Sequence, residues 1–243
     1  MFSYSFVCKT GGRPHNQDSI AAFMREGCYC FAVCDGLGAY SGSGTASRIC
    51  ADTLRQELGN EPLSPDAVVR LLQSAHNAIT EVKRFAEDME SACTTFAGVF
   101  ADGEQTIIAH IGDSRVYRFS DGKLVSCTSD HSLAQIDVER GKIDRKDLGK
   151  HKDQNKLTRV LGGKFFIRPD LDILPAPRKG DIFIICSDGF WEYVSEEFME
   201  QTLSCEQNAD GILRTLENRL LEEAVPGHDN YSAVIAVAET EDL

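Results

Sequence analysis

Five aspartates lie at the borders of apolar segments, where a carboxylate at the rim of a hydrophobic core needs a partner. The segments FAVC, IIAHIG and FIICS are followed by Asp35, Asp113 and Asp188, and YSAVIAVA is preceded by Asp229. Asp18 follows the first strand and a short turn. Carboxylates that converge at one rim repel each other unless a cation neutralises them. Oxygen-only ligands select hard ions such as Mg²⁺ or Mn²⁺, so the pattern favours a divalent-metal site.

A turn or capping role is the alternative for these aspartates, because Asp-Gly marks turns and aspartate caps backbone amides. That explanation suffices for Asp102-Gly103 and Asp121-Gly122, which connect predicted strands in hairpins. It accounts less well for the five border aspartates, because they flank wholly apolar strands. Spacing alone does not show that the five converge.

The elements that would position these aspartates are strands joined by hairpins, with helices between them. Consecutive strands without crossover helices imply antiparallel pairing. Helices are predicted at about 45–58, 196–203 and 210–223, with Ser195 as N-cap of the second of these. A further helix is predicted from Pro65 onwards, with Ser64 as its N-cap and apolar positions up to Met89. Strands are predicted at Tyr29–Cys34, Thr94–Ala101, Gln105–His110, Arg115–Phe119, Lys123–Cys127, Asp181–Cys186 and Tyr231–Ala238.

Composition limits the class of protein. The 243 residues contain no Pro/Gly/Ser-rich linker, which indicates a single domain over residues 1–243. The net charge of −13 repels a phosphate backbone, so nucleic acid is not an expected partner. No apolar run reaches the ~18 residues of a membrane helix, and the N-terminus lacks the pattern of a secretory signal. We therefore expect a cytoplasmic protein with no membrane partner, and a monomer as its simplest assembly.

The nine cysteines are an odd number and lie mostly inside apolar runs. This indicates reduced thiols in a core, as in a cytosolic protein, rather than disulfides. Cys28, Cys30 and Cys34 share one strand face, which makes zinc the alternative. No matching CxxC motif or His pair completes a zinc site, so we expect core packing.

A series of motifs runs along the whole chain in a fixed order. It comprises RPHNQDS at 13–19, VCDGLG at 33–38, CTTF at 93–96, HIGDSR at 110–115, SDH at 129–131, LTRVLGG at 157–163, GDIFIICSDGFWEYV at 180–194 and HDNYSAV at 228–234. In order and spacing this series resembles the type 2C (PPM) family of metal-dependent serine/threonine protein phosphatases, most closely its compact bacterial members. The resemblance implies an α+β fold, an αββα sandwich of two antiparallel β-sheets flanked by helices on both sides.

The resemblance also implies roles for the metal ligands. Asp35 would bridge two metal ions, with the Gly36 carbonyl on one of them. Asp188 and Asp229 would hold the other ion. Asp18 would support the cluster, partly through water.

Two further residues receive roles in the same way. Asp113, together with Asp188, would serve a third and weaker metal. Arg13 would bind the substrate phosphate, which its planar guanidinium suits. The implied cofactors are two to three Mn²⁺ or Mg²⁺, and the implied catalytic residues are Arg13 and Asp35.

The function that follows is hydrolysis of phosphoserine and phosphothreonine in proteins, by direct attack of a metal-bridging hydroxide and without a phospho-enzyme intermediate. Cysteine-dependent phosphatases need an Arg six residues after the nucleophile, and none of the nine cysteines has one. Haloacid-dehalogenase-type phosphatases need DxDx[TV], which Asp35-Gly36-Leu37 does not match. An acidic chain also disfavours a two-metal nuclease. The alternative is a degenerate family member that binds phosphoproteins without turnover.

The sequence departs from the family pattern at two positions near these motifs. Gln17 stands where Glu is usual, and because Gln adds no charge we expect weaker binding of the second metal. Leu37 occupies the place of a general-acid histidine proposed for eukaryotic members. The proton donor is therefore unassigned. His131 and His228 are candidates, each explained equally well as a structural histidine.

A basic stretch lies at 140–159, which contains eight Lys or Arg and only three Asp. A solvated loop is one interpretation. The family places its mobile flap here, at about 131–161, beside the active site. We expect flap cations such as Arg140, Lys142, Arg145 and Lys146 to attract acidic or phosphorylated segments of substrate proteins. The expected partners are phosphoproteins modified by a Ser/Thr kinase.

Overall fold

The chain folds into strands and helices whose bounds follow from a computed structural model that describes residues 1–37, 42–86 and 89–239. Gly38, the last residue of the VCDGLG motif, lies outside the described residues. The strands are β1 (Phe2–Lys9), β2 (Asp18–Arg25), β3 (Cys28–Leu37), β4 (Cys93–Thr94), β5 (Phe96–Ala101), β6 (Gln105–Ile111), β7 (Arg115–Ser120), β8 (Lys123–Cys127), β9 (Asp170–Pro175), β10 (Ile182–Cys186) and β11 (Tyr231–Ala238). The helices are α1 (Gly42–Glu57), α2 (Pro65–Lys83), α3 (Leu133–Glu139), α4 (Asp188–Trp191), α5 (Glu196–Cys205) and α6 (Ala209–Glu223), with a 3-10 helix at Arg145–Lys150.

Two antiparallel sheets form the centre of the molecule. The first has the strand order β1-β11-β10-β7-β8, and the second has the order β2-β3-β5-β6-β9 with β4 beside β3. Helices α1 and α2 pack on the second sheet, and α5 and α6 pack on the first. Apolar side chains fill one layer between the sheets and one layer under each helix pair. The expected αββα sandwich of class α+β is confirmed.

Strand β3 shows why its apolar run is unbroken. Its residues at 29, 31 and 33 face the layer between the sheets, whereas Cys28, Cys30 and Cys34 face the helices. A strand buried on both faces needs apolar side chains at every position. The three cysteines are free thiols inside this core, as expected from the sequence.

Local signals predicted several element boundaries correctly. Ser64 caps α2 by accepting a hydrogen bond from the Ala67 N–H at 3.1 Å, and Pro65 is the first helical residue. The prediction was wrong at the other end, because α2 ends at Lys83 and the Phe85 side chain is 83% exposed. Strands β8 and β11 have the predicted bounds.

Other elements were not predicted. Strand β9 alternates charged and apolar residues and is largely exposed at a sheet edge, so its hydrophobic signal is weak. The flap contains α3, capped by Ser132, and the 3-10 helix. The predicted strand Thr94–Ala101 is divided at Thr95 into β4 and β5. Among the described residues, no helix is both long and apolar enough to cross a membrane.

Candidate active site

All five border aspartates lie at the same end of the sandwich. Asp18 of β2 faces Asp35 of β3 in the antiparallel pairing. In the other sheet, the end of β10 pairs with the starts of β7 and β11, which brings Asp113, Asp188 and Asp229 to the same edge. Burial raises the pKa of Asp35 well above its ordinary value, and the charges of the other four aspartates raise it further. The convergence that spacing could not show is present in the structure.

Asp18 is buried and held by a hydroxyl. Ser187 Oγ donates to Asp18 Oδ2 at 2.8 Å, and Asp18 Oδ1 is buried without a hydrogen-bond partner. Burial raises the pKa of Asp18 to about 7, and the charges of Asp188 and Asp229 contribute to the rise. An orphaned buried carboxylate oxygen is costly unless something binds it.

Asp188 begins helix α4 and lies half-buried. The Gly189 N–H donates to Asp188 Oδ1 at 2.6 Å. Burial raises the pKa of Asp188 to about 6, with the charge of Asp229 as the next cause. The position requires glycine at 189, because a Cβ there would lie 2.1 Å from the Asn230 carbonyl oxygen. The Asp-Gly pair thus allows α4 to approach the start of β11.

Asp113 lies in the connection between β6 and β7. Its Oδ1 is buried and has no partner, and burial, then the charge of Asp188, raises its pKa well above the ordinary value. Trp191 Nε1 donates to the Asp113 carbonyl oxygen at 3.0 Å. The Trp191 ring lies 3.5 Å from the guanidinium of Arg115, which binds Asp130 through two hydrogen bonds of 2.8 Å. A buried ion pair therefore supports the backbone of Asp113.

The backbone of Asp35 is clamped by two buried threonines. Thr94 Oγ1 and the Thr95 N–H both donate to the Asp35 carbonyl oxygen, at 2.9 and 2.8 Å. The Asp35 N–H donates to Thr95 Oγ1 at 3.0 Å, and this hydroxyl also hydrogen-bonds Ser114 Oγ at 2.7 Å. The carboxylate of Asp35 is thereby placed without using its own oxygens.

Arg13 and Asp229 form an ion pair at the rim of the site. Arg13 NH2 lies 3.1 Å from Asp229 Oδ2, and the two side chains are 53% and 44% exposed. An exposed pair of this kind contributes little stability, so Arg13 can leave it for another anion at small cost. Arg13 therefore lies beside the aspartates.

The donor set fits hard divalent cations. The site offers carboxylate oxygens, and the described sulfur and imidazole groups that could ligate a metal do not join them. Two of the buried oxygens, on Asp18 and Asp113, have no protein partner. Among the described residues, no three of the five aspartates bring one oxygen each within 4.8 Å of each other. The five carboxylates are therefore spread more widely than a three-ligand cage around one ion.

A second cluster, formed by His110, His131 and Asp170, has ligand atoms within 4.8 Å of one another, but its hydrogen bonds oppose metal binding. The Gly112 N–H donates to His131 Nδ1 at 3.1 Å, so in neutral His131 the proton lies on Nε2, which faces Asp170 at 3.2 Å. Arg159 binds the same carboxylate at 2.5 Å. We interpret this cluster as a structural link between β9 and the flap.

Of the two histidines considered as proton donors, His131 has both ring nitrogens engaged and His228 has one. His131 uses both ring nitrogens, as described above. His228 directs Nδ1 to the Val225 carbonyl oxygen at 3.0 Å, and its Nε2 is buried without a partner. Neither observation assigns a general acid.

The flap is anchored to the body of the molecule. Leu148 and Gln154 are buried, and Gln154 donates to Glu192, the residue that follows α4. Three of the four predicted flap cations have intramolecular partners: Lys142 pairs with Asp137 at 2.7 Å, Arg145 with Glu196 at 3.3 Å and Lys146 with Asp144 at 3.6 Å. Part of the positive charge counted from the sequence is therefore balanced within the protein.

The family of the chain follows from comparison with known proteins. Residues 11–225 match the family model described as protein phosphatase 2C. The chain belongs to the protein phosphatase 2C family. This membership agrees with the sandwich and with the position of the aspartates at one end of both sheets.

Several bacterial phosphatase 2C proteins are similar to this chain. Over 229 residues it is 31% identical to the serine/threonine protein phosphatase PstP of Mycobacterium tuberculosis, an alignment that covers 92% of the chain but only 42% of PstP. The chain thus spans less than half the length of that relative. A putative protein phosphatase 2C-type protein of Streptococcus pyogenes is 28% identical over 237 residues, 95% of each chain.

A solved structure of the same family extends the comparison to three dimensions. The catalytic domain of PstP, crystallised with two manganese ions, is 28% identical and superposes with a TM-score of 0.83 over 97% of both chains. The phosphatase 2C fold is therefore shared along nearly the whole chain.

Sequence reasoning missed the residues that hold this phosphatase 2C site together. The sequence presents Thr95 only as part of the CTTF motif, and it assigns no role to Trp191 or Asn230. Their partners are far along the chain: Asn230 contacts residues more than 210 positions away. The available signal was their position next to predicted ligands, as for Asn230 after Asp229.

Proposed function

We propose that the protein is a metal-dependent phosphatase that hydrolyses phosphoserine and phosphothreonine in proteins. The observation that carries the proposal is the convergence of five aspartates at one edge, with two buried oxygens that lack a protein partner. The similarity to proteins named serine/threonine phosphatases supports the same reaction. The manganese ions in the PstP structure support the choice of cofactor.

The residues present fit the metal ions of the family. Asp35, Asp188 and Asp229 would hold two ions together with the Gly36 carbonyl, and Asp18 would support them. When bound, such ions activate water as a nucleophile and neutralise charge on the phosphoryl oxygens. Because Thr95 already fixes the backbone of Asp35 and Ser187 the carboxylate of Asp18, little reorganisation is needed during the reaction.

The proposed mechanism uses Arg13 to bind the substrate phosphate and does not use a cysteine as the nucleophile. Arg13 would turn from Asp229 to the substrate phosphate, whose oxygens match its planar fork. A thiolate nucleophile is disfavoured, because burial raises the pKa of Cys8 and Cys186 and a thiol is a weak nucleophile when protonated. We therefore propose direct attack by water-derived hydroxide, without a phospho-enzyme.

Further parts of the proposal concern metal number and context. Asp113 and Asp188 would hold a third, weaker ion, which the orphaned Oδ1 of Asp113 supports. We propose the cytoplasm as the compartment, because nine free cysteines suit a reducing environment. We also propose a monomer that acts against a Ser/Thr kinase.

The first test compares the wild type with Asp188→Asn on a phosphothreonine peptide, with and without Mn²⁺. We expect metal-dependent turnover in the wild type and a loss of at least about 100-fold in the variant, since even residues that only support metal ligands commonly cost 10–100-fold. Asp121→Asn is the matched control, because Asp121 lies in the β7–β8 turn at the opposite end of the sheet. Absence of wild-type turnover, with Mn²⁺ bound by calorimetry, would reject the enzyme and leave a phosphoprotein-binding member of the family.

We further propose that the flap and α4–α5 together hold the substrate chain next to the phosphorylated residue. A cavity of about 250 Å³ lies between them. Its flap wall is basic and contains Arg145, Lys146 and Lys150. Its other wall contains Trp191 and Tyr193, together with Glu192, Glu196 and Glu197. Arg140, Lys146, Lys150 and Lys152 are flap cations through which an acidic substrate segment could be attracted.

The flap proposal predicts a difference between substrates. Replacement of Lys146, Lys150 and Lys152 by Gln should raise the KM for an acidic phosphopeptide severalfold and leave the KM for a small phosphate ester nearly unchanged. The charge-matched control replaces Lys123, Arg178 and Lys179, which lie at the other end of the first sheet. Equal effects on both substrates would reject a role of the flap in substrate attraction.

A further inference from the structure

The side chain of Asn230 is buried at the start of β11, and its three hydrogen bonds go to one loop. The Gln17 N–H donates to Asn230 Oδ1 at 2.8 Å. Asn230 Nδ2 donates to the carbonyl oxygens of Thr10 at 2.8 Å and of His15 at 2.9 Å. We refer to residues 10–17 as the arginine loop. Both amide N–H groups and the amide oxygen are thus used to hold this loop.

The arginine loop also approaches the backbone around Asn230 very closely. The Gly12 N–H donates to the His228 carbonyl oxygen at 3.0 Å. Gly11 has a φ of +56°, and a Cβ at this position would lie 2.1 Å from the Asp229 carbonyl oxygen. Only glycine allows this approach without displacement. The geometry brings the loop within reach of the Asn230 amide.

We propose that Asn230 is the positioning residue of Arg13: it fixes the arginine loop against β11, so that the guanidinium lies over the aspartate edge where a phosphate would bind. This inference rests on the proposed function, in which Arg13 binds the substrate phosphate. Asn230 is not a catalytic residue, because its amide groups are already engaged and it is 4% exposed. It acts on the phosphate only through Arg13.

The chemistry of the amide explains why asparagine is needed. Aspartate has the same shape, but it would direct an oxygen at the carbonyl oxygens of Thr10 and His15, where two N–H donors are required. Alanine would remove the three hydrogen bonds by which a buried amide holds the backbone of the loop. Both substitutions should therefore release the loop. The metal ligand Asp229 keeps its own contact in these variants, because Asp229 Oδ1 accepts from the Asn230 backbone N–H at 2.8 Å.

The test is a double-mutant cycle between Arg13 and Asn230 in the Mn²⁺-loaded full chain. We expect Asn230→Ala and Arg13→Ala each to raise the KM for a phosphopeptide and for a small phosphate ester about tenfold, while Asn230→Ala changes the Mn²⁺ affinity less than twofold. In the Arg13→Ala background, Asn230→Ala should have no further effect on KM, since coupled residues are not additive. Ile79→Val, in the core layer between the second sheet and its helices, controls for a general loss of stability.

Hydrogen exchange of the arginine loop gives a readout that does not depend on activity. In Asn230→Ala, the amides of residues 10–17 should exchange at least tenfold faster, whereas β10 should not change. Gly11→Ala provides a second route, because its Cβ pushes the same loop from Asp229 without altering Asn230. It should reproduce both the faster exchange and the higher KM, even if Asn230→Ala fails to fold.

Each result decides the proposal. Unchanged exchange in the arginine loop, or a loss that persists in full in the Arg13→Ala background, would overturn it. If the wild type lacks turnover, the proposed enzyme fails, and the same cycle is measured on the affinity for inorganic phosphate by calorimetry. Phosphate binding that both single variants weaken without additivity would support the positioning role. Phosphate binding independent of Arg13, or no phosphate binding, would overturn it.

Discussion

Two aspartates in this site, Asp18 and Asp188, are held by neutral donors, whereas Asp229 pairs with Arg13. Asp18 accepts from the Ser187 hydroxyl, and Asp188 accepts from the Gly189 N–H. Neutral donors fix a carboxylate but leave its charge, so burial can raise the pKa of Asp18 to about 7 and that of Asp188 to about 6. Lys or Arg side chains in the same places would have paired with these carboxylate oxygens and neutralised the charge that attracts a cation. The side chains around the aspartates thus preserve the charge that a metal site requires.

His131 permits a prediction about pH and stability. Burial lowers its pKa from 6.5 to about 4, and the nearby His110 ring adds to the effect. The unfolded chain therefore binds a proton below pH 6.5 that the folded chain does not bind until about pH 4. The contribution to stability is present above pH 6.5 and is lost as the pH falls towards 4, by up to about 3 kcal/mol. Urea unfolding of His131→Gln should show a shallower decline over this range than the wild type.

The difference between the pH profiles of the wild type and His131→Gln separates the contribution of His131 from that of the aspartates. Groups such as Asp18, whose pKa is raised, favour the folded state at lower pH and act in the opposite direction, but they are common to both proteins. His15→Gln is the control, because His15 is exposed in the arginine loop and should leave the slope unchanged. Parallel profiles for the wild type and His131→Gln would contradict the assignment.

At the scale of elements, the site forms because the strand ends that carry the aspartates lie at the same end of both sheets. The sequence predicted the aspartates because each borders an apolar run, and it predicted β8 and β11 because their patterns end sharply at turns or polar residues. Strand β9 was missed because an exposed edge strand needs few apolar residues. The contacts of Thr95 and Asn230 could not be predicted, since they join segments distant in sequence. Local patterns therefore indicated the ligands, whereas the residues that hold them depend on tertiary contacts.

The buried pair Arg115–Asp130 joins β7 to the segment that follows β8, and α4 covers it. The two side chains are 7% and 1% exposed, and the Trp191 ring covers the guanidinium. Asp130→Asn would leave a buried cation without its counter-charge, which commonly costs about 3–5 kcal/mol. We expect the free energy of unfolding, measured with urea, to fall by this amount. The exposed pair Arg55–Asp52 is the matched control, and Asp52→Asn should cost less than about 1 kcal/mol.

A loss below about 1 kcal/mol in Asp130→Asn would show that this pair does not support the elements it joins. Because Trp191 also donates to the Asp113 carbonyl oxygen, the same variant should weaken Mn²⁺ binding. Asp52→Asn should leave Mn²⁺ binding unchanged. Urea unfolding and Mn²⁺ binding, measured together, separate the stability of the joined elements from the ability of the aspartates to bind metal.

The whole molecule carries a net charge of −13, and five of its acidic side chains meet at one edge. Their mutual repulsion opposes folding, and any ion that binds the folded chain alone stabilises it by mass action. At a Mn²⁺ concentration 100 times the dissociation constant, the gain is about 2.7 kcal/mol. For a protein of this size that corresponds to a rise in Tm of roughly 5–10 °C.

Thermal unfolding at pH 7.5 with and without Mn²⁺ measures this linkage. Sodium chloride at matched ionic strength should raise the Tm far less, because screening acts on all surface charges, whereas a divalent ion binds between specific carboxylates. Asp188→Asn removes one of those carboxylates and should reduce the Mn²⁺-dependent rise while leaving the effect of salt unchanged. If Mn²⁺ and salt stabilised the wild type equally, the aspartates would be a surface charge cluster and not a metal site, and the phosphatase proposal would lose its physical basis.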